Sequence, residues 1–190
     1  NLNSKKISVK KDGSELTDDE ISKIITWNGN KATINLKATE NETHKYTITA
    51  NAEDKAGNLN SLTKTVIIDK TAPTLTAAFK GTEKPGAAKD EKYYKEATLT
   101  ITASDADSFN WNKFQEAVNK ALGTFMAEDK AGNKVENAIT VDYYEKKHQI
   151  VIEFKGEANY ELTDIIYKDD CENSTTVTLK SPFTIDNTSP

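Results

Sequence analysis

Tyr46-Thr47-Ile48-Thr49-Ala50, then Asp54-Lys55-Ala56-Gly57-Asn58, then Val66-Ile67-Ile68-Asp69-Lys70-Thr71-Ala72-Pro73 is the stretch whose reading decides the fold. The first and third segments place β-branched or aromatic residues at alternate positions, the period of a half-buried strand. The middle segment is polar, and Gly57 supplies the positive φ that a tight hairpin needs. Pro73 lacks an N–H and stops the last strand. Residues 46–73 therefore predict an antiparallel hairpin with a sharp end.

The same three blocks return in the same order. Tyr160-Glu161-Leu162 matches Tyr46-Thr47-Ile48, Asp169-Asp170-Cys171-Glu172-Asn173 matches the turn, and Phe183-Thr184-Ile185-Asp186-Asn187-Thr188-Ser189-Pro190 matches the ending. Leu2-Asn3 and Lys6-Ile7 match Phe109-Asn110 and Lys113-Phe114 more weakly. The chain thus reads as two repeats, residues 1–72 and 73–190. Glu53-Asp54-Lys55-Ala56-Gly57-Asn58 also recurs as Glu128-Asp129-Lys130-Ala131-Gly132-Asn133, with no Asp-x-Thr-Ala-Pro-like ending after it. That third turn is assigned to an enlarged middle region of the second repeat. The extra residues 74–108 have no counterpart in the first repeat, which is expected to be a sandwich lacking its first two strands, with core and an open edge exposed.

Working outward, strands are expected near 5–11, 31–38, 45–52, 62–69, 74–80, 96–103, 138–144, 149–155, 159–168 and 175–186. Short strands at this spacing favour a β-sandwich over βαβ units. One helix is expected, Asn110 to Leu122, where Trp111, Phe114, Val118 and Leu122 form an apolar stripe ahead of Gly123. The stripe fits a cap on the sandwich.

Composition narrows the function. The 190 residues carry 25 basic and 30 acidic side chains, net −5, and every basic residue is lysine. Without arginine the chain lacks the side chain that makes bidentate contacts to guanine and phosphate, and nucleic acid is not an expected partner. No run of 18 apolar residues exists to span a membrane, so no membrane insertion is expected. The first residue is Asn, with no basic-then-apolar leader, which suggests a fragment or a mature segment. Cys171 is alone, which excludes an intramolecular disulfide. His44 and His148 sit in lysine-rich turns, neither near Cys171, and no phosphate-binding loop is present, so no enzyme is expected.

The strand, Asp-Lys-Ala-Gly-Asn turn, strand and Ile-Asp-Lys-Thr-Ala-Pro order resembles the tandem Ig-like repeats of large bacterial surface proteins and adhesins. The resemblance covers the whole of the second repeat and the C-terminal two-thirds of the first, with Cys171 and Glu172 departing from the Ala and Gly of the turn. It implies an all-β fold of tandem Ig-like sandwiches; the helix read above is foreign to a minimal Ig sandwich and marks an insert at about 105–148 in the second. Tyr46 and Tyr160 fall where Ig sandwiches place a corner tyrosine, with Ile48 and Leu162 in the position of the core cysteine.

In an Ig sandwich the loop after the second strand and the last hairpin share a pole with the entering linker. That arrangement brings Asp69, Asp105, Asp107 and Asp169 toward one junction, where hard oxygen ligands suit Ca²⁺, as in Ig-like arrays stiffened by calcium; a solvated acidic cluster is the alternative. The implied role is a non-enzymatic spacer or stalk of an adhesin, extracellular, on the bacterial surface or secreted, with neighbouring Ig-like domains of the same chain as partners. The alternative role is direct capture of a host protein, immunoglobulin or glycan through Trp111, Phe125, Tyr143 and Tyr144 of the insert.

Overall fold

Alternating apolar and polar residues set the two larger sheets, because successive strand side chains point to opposite faces. The computed structural model describes residues 2–83, 92–105, 108–179 and 181–188. It is mostly β, 55% strand against 12% helix, as an all-β sandwich requires. Its contacts divide into two units, Asn1–Thr71 and Ala72–Pro190.

Unit 1 is built on three long strands, β1 (Leu2–Lys11), β5 (Thr43–Asp54) and β6 (Leu59–Asp69), with the two-residue β2 (Ser14–Glu15) at one edge. The antiparallel order is β2-β1-β5-β6. A second hairpin, β3 (Ile25–Asn28) and β4 (Lys31–Ile34), follows the short helix α1 (Asp18–Ile24). Register places Ile7, Val9, Ile48, Ala50, Leu62 and Val66 on one face of the large sheet. Among the described residues of unit 1, only Val9 and Tyr46 are buried apolar side chains, whereas Leu2, Trp27, Leu59, Leu62, Val66 and Ile67 are exposed.

Unit 2 is a different case. Its strands are β7 (Thr74–Glu83), β8 (Tyr93–Ser104), β9 (Met126–Glu128), β10 (Ile139–Tyr144), β11 (Gln149–Phe154), β12 (Ala158–Glu161), β13 (Ile165–Lys168), β14 (Ser174–Val177) and β15 (Phe183–Ile185). A seven-stranded sheet runs β10-β11-β8-β15-β12-β9, with β7 also on β8, and β13 pairs β14 separately. The register aligns Leu75, Phe79, Leu99, Ile101, Ile150, Ile152 and Phe154 on the core face. Thr76, Thr98, Thr100 and Thr102 fall on the opposite face, which explains the threonine alternation. Helix α2 (Trp111–Leu122) buries Phe114, Val118 and Ala121 and lies against β13. Asn110 caps it by accepting from the Lys113 N–H at 3.1 Å. The expected apolar stripe therefore does cap the core.

Several expectations need correction. A second helix, α1, exists; it buries no side chain, so no apolar stripe marks it. Its signal is the capping box Thr17-Asp18-Asp19-Glu20, in which the Thr17 hydroxyl accepts from Glu20 N–H and the Glu20 carboxylate accepts from Thr17 N–H. The weak match between Leu2-Asn3/Lys6-Ile7 and Phe109-Asn110/Lys113-Phe114 carries no structure, since the first lies in β1 and most of the second in or beside α2. The strands expected at 159–168 and 175–186 are each broken in two. Leu162 N–H is taken by the Ser181 hydroxyl at 2.9 Å instead of a ladder partner, and Pro182 has no N–H to give. The chain there changes from the large sheet to the β13–β14 pair. Gly123 ends α2 with φ −64°, so it does not use the left-handed conformation that favours glycine.

Candidate functional site

The repeated hairpin is the feature that both units share. Tyr46 stands opposite Val66, and Tyr160 opposite Phe183; the flanking pairs His44–Ile68 and Ala158–Ile185 keep the same register. Both tyrosines are buried and bond backward to the backbone. Tyr46 donates to Lys37 O at 3.0 Å. Tyr160 reaches Gly156 O at 2.8 Å and Ala138 O at 2.9 Å, and burial pushes its hydroxyl up to about 12. Their role is structural.

The turns match as closely. In each, one aspartate folds the loop around its own carboxylate. Asp54 Oδ1 accepts from Ala56 N–H at 2.8 Å and Asn58 N–H at 3.0 Å, while Asn58 Nδ2 donates to Oδ2 at 2.9 Å. Asp129 repeats this with Ala131 and Asn133, and Asp169 with Cys171 and Asn173. These bonds, led by the asparagine side chain, lower Asp54 and Asp129 below the usual carboxylate range. Glu172 adopts φ +66° where Gly57 and Gly132 take +85° and +82°, so the substituted turn keeps its shape. The endings also correspond, since Asp69 Oδ1 accepts from Thr71 N–H at 2.9 Å and Asp186 Oδ1 from Thr188 N–H at 3.1 Å.

The acidic residues proposed as ligands divide between the units. In unit 1, Asp69 is buried at the end of β6 and also accepts from the Thr43 hydroxyl. In unit 2, Asp105 and buried Asp169 each offer a carboxylate oxygen within 4.8 Å of the other. Like charges this close repel, and a divalent cation between them would relieve that. Asp105 also accepts from Ser108 N–H at 3.1 Å. Asp107 lies outside the described residues.

The aromatic candidates do not form one surface. Trp111 and Phe125 are half-buried and packed against the unit 2 core, with Trp111 edge-on to Phe114 at 5.7 Å. Part of their apolar area is used within the unit. Tyr143 and Tyr144 are exposed on β10, but adjacent strand positions face opposite ways. Tyr143 faces α2, its hydroxyl donating to Asn119 Oδ1 at 2.6 Å, whereas Tyr144 pairs with Gln149 on the threonine face.

Sequence reasoning missed the surroundings of His44. Its Nδ1 lies 2.8 Å from Asp12 Oδ2 and its Nε2 lies 3.2 Å from Glu42 Oε2. Both ring nitrogens thus lie within hydrogen-bond distance of a carboxylate, which fixes the orientation of the ring. Hydrogen bonds from the Thr39 hydroxyl and N–H, then from His44, lower Glu42 from 4.5 to about 2. Asp12 also orders β5, accepting from Lys45 N–H at 2.8 Å. His148 instead stacks on Phe109 at 4.0 Å. No family model matches the chain, and no curated protein matches it as a relative.

Proposed function

We propose that this chain is a non-enzymatic, extracellular part of a repetitive bacterial surface protein, in which tandem Ig-like β-sandwich repeats act as a stalk that spaces binding elements from the cell. One observation carries the reading: the β5–β6 and β12–β15 pairs share their register and their Asp-x-Thr ending, and the chain between the paired strands turns around an aspartate-centred loop in both units, carried in unit 2 by the β13–β14 pair. A unit repeated with its backbone bonds intact serves a role that needs length and resistance to strain more than a pocket. In the same reading, Asp105 and Asp169 are unit 2's ligands for calcium, which would stiffen the acidic loops they hold. The test is antibody labelling of intact source cells with serum raised against this chain. Labelling before lysis, removed by external protease, supports the proposal; labelling only after lysis overturns it.

A further inference from the structure

The two hairpins share a register and differ in what covers them. In unit 2 the outer edge of β15 is occupied by β8, running parallel. Thr184 N–H donates to Lys92 O at 2.8 Å and Asp186 N–H to Tyr94 O at 2.9 Å. The face is covered as well: Phe183 has ring centroids of Phe79 and Phe154 at 4.9 Å and of Tyr94 at 6.1 Å. The β7–β8 hairpin thus supplies both the edge partner and two of the rings on Phe183.

Unit 1 shows the same hairpin without that cover. Among the described strands, β6 has β5 as its only neighbour. Lys70 N–H points inward to Glu42 O at 3.0 Å, and Lys45 turns its N–H and C=O to Asp12, away from its β5–β6 partner Ile67. By strand alternation, the main-chain groups of Ser61, Thr63, Thr65 and Ile67 therefore point to the open edge. Val66, the counterpart of Phe183, is 38% exposed where Phe183 is 2%, and Leu62 on the same face is 61% exposed. Between this face and the β3–β4 hairpin runs a groove of about 410 Å³ lined by Trp27, Ile34, Ile48 and Leu62 among others.

We infer that the open edge and apolar face of β6 form a docking surface for a β-hairpin of the β7–β8 kind, from a repeat of this same type, whose second strand adds parallel to β6 beside Ile67. The chain itself is the precedent, since the same register in unit 2 is completed in that way. Strand addition satisfies the outward N–H and C=O groups, and the hairpin's aromatic residues fill the space beside Val66. A second copy of β6 fits less well, because antiparallel self-pairing that sets Leu62 against Val66 also sets Lys64 against Lys64.

The experiment adds a fluorescent synthetic peptide of residues 74–104 to the full chain, reading anisotropy and amide exchange. Saturable binding is expected, with new protection at Ser61, Thr63, Thr65 and Ile67. A peptide with Phe79→Ala and Tyr94→Ala should bind about tenfold or more weakly, as should the wild-type peptide to a Val66→Lys chain. The peptide variants keep the test valid if that chain misfolds. No binding, binding that leaves the β6 amides unprotected, or β6 protection arising from dimerisation without peptide would each overturn the inference.

Discussion

Replacing equivalent residues in the two hairpins by alanine should give very different losses. Phe183 is 2% exposed and meets Phe79 and Phe154 at 4.9 Å and Tyr160, stacked, at 5.2 Å. Phe→Ala in a packed core costs about 3–5 kcal/mol, and a cage of rings that cannot collapse into the void favours the upper part, about 4 kcal/mol. Val66→Ala removes two methyl groups worth roughly 0.8 kcal/mol each when fully buried, and 38% exposure reduces the sum to about 1 kcal/mol. The two tryptophans fall one in each unit, Trp27 and Trp111. Urea unfolding in Trp27→Phe and Trp111→Phe backgrounds therefore reads each unit separately. Losses equal to within about 0.5 kcal/mol would mean that the Val66 face is as well covered as that of Phe183, contrary to the exposure of β6.

Tyr160→Phe keeps the ring packing and deletes the bonds to Gly156 O and Ala138 O; denaturation should show a loss of about 1–2 kcal/mol in unit 2. Glu42 is held at about 2 against an ordinary 4.5, so its contribution is full above about pH 4.5 and disappears as pH falls through 2. Trp27 fluorescence should then show a falling unit 1 midpoint over that window, flattened by Glu42→Gln. Calcium should raise the Trp111-reported unfolding midpoint, chelator should reverse it, and Asp169→Asn should abolish the difference; equal midpoints with calcium and chelator would remove the cation from the account.

The paired strands were legible because strand alternation and turn chemistry act locally and agree at both sites. The capping of the core by α2 was legible for the same reason, since Phe114 and Val118 repeat at helical spacing. What escaped depended on partners distant in sequence. Nothing near Leu162 announces that the Ser181 hydroxyl will take its N–H and break the strand. The approach of His44 to Asp12 joins residues 32 apart. Helix α1 is marked by Thr17 and Glu20, a capping signal rather than a periodic one. The division of Tyr143 and Tyr144 between the α2 side and the threonine face follows from strand alternation once β10 is placed, not from aromatic identity. Glu172 shows the opposite case: a residue that departs from the turn pattern still adopts the turn, because Asp169 and Asn173 hold it from either side.

One strand pairing occurs twice, enclosed by β8 in unit 2 and open along β6 in unit 1. Residue-resolved amide hydrogen exchange of the free chain tests it most directly. Thr184, bonded to Lys92 O, should exchange slowly, and its counterpart Ile67 should exchange near the rate of an unprotected amide, while Lys70 and Val66, on the β5 side of β6, remain protected. Equal, strong protection at Ile67 and Thr184 would contradict the account.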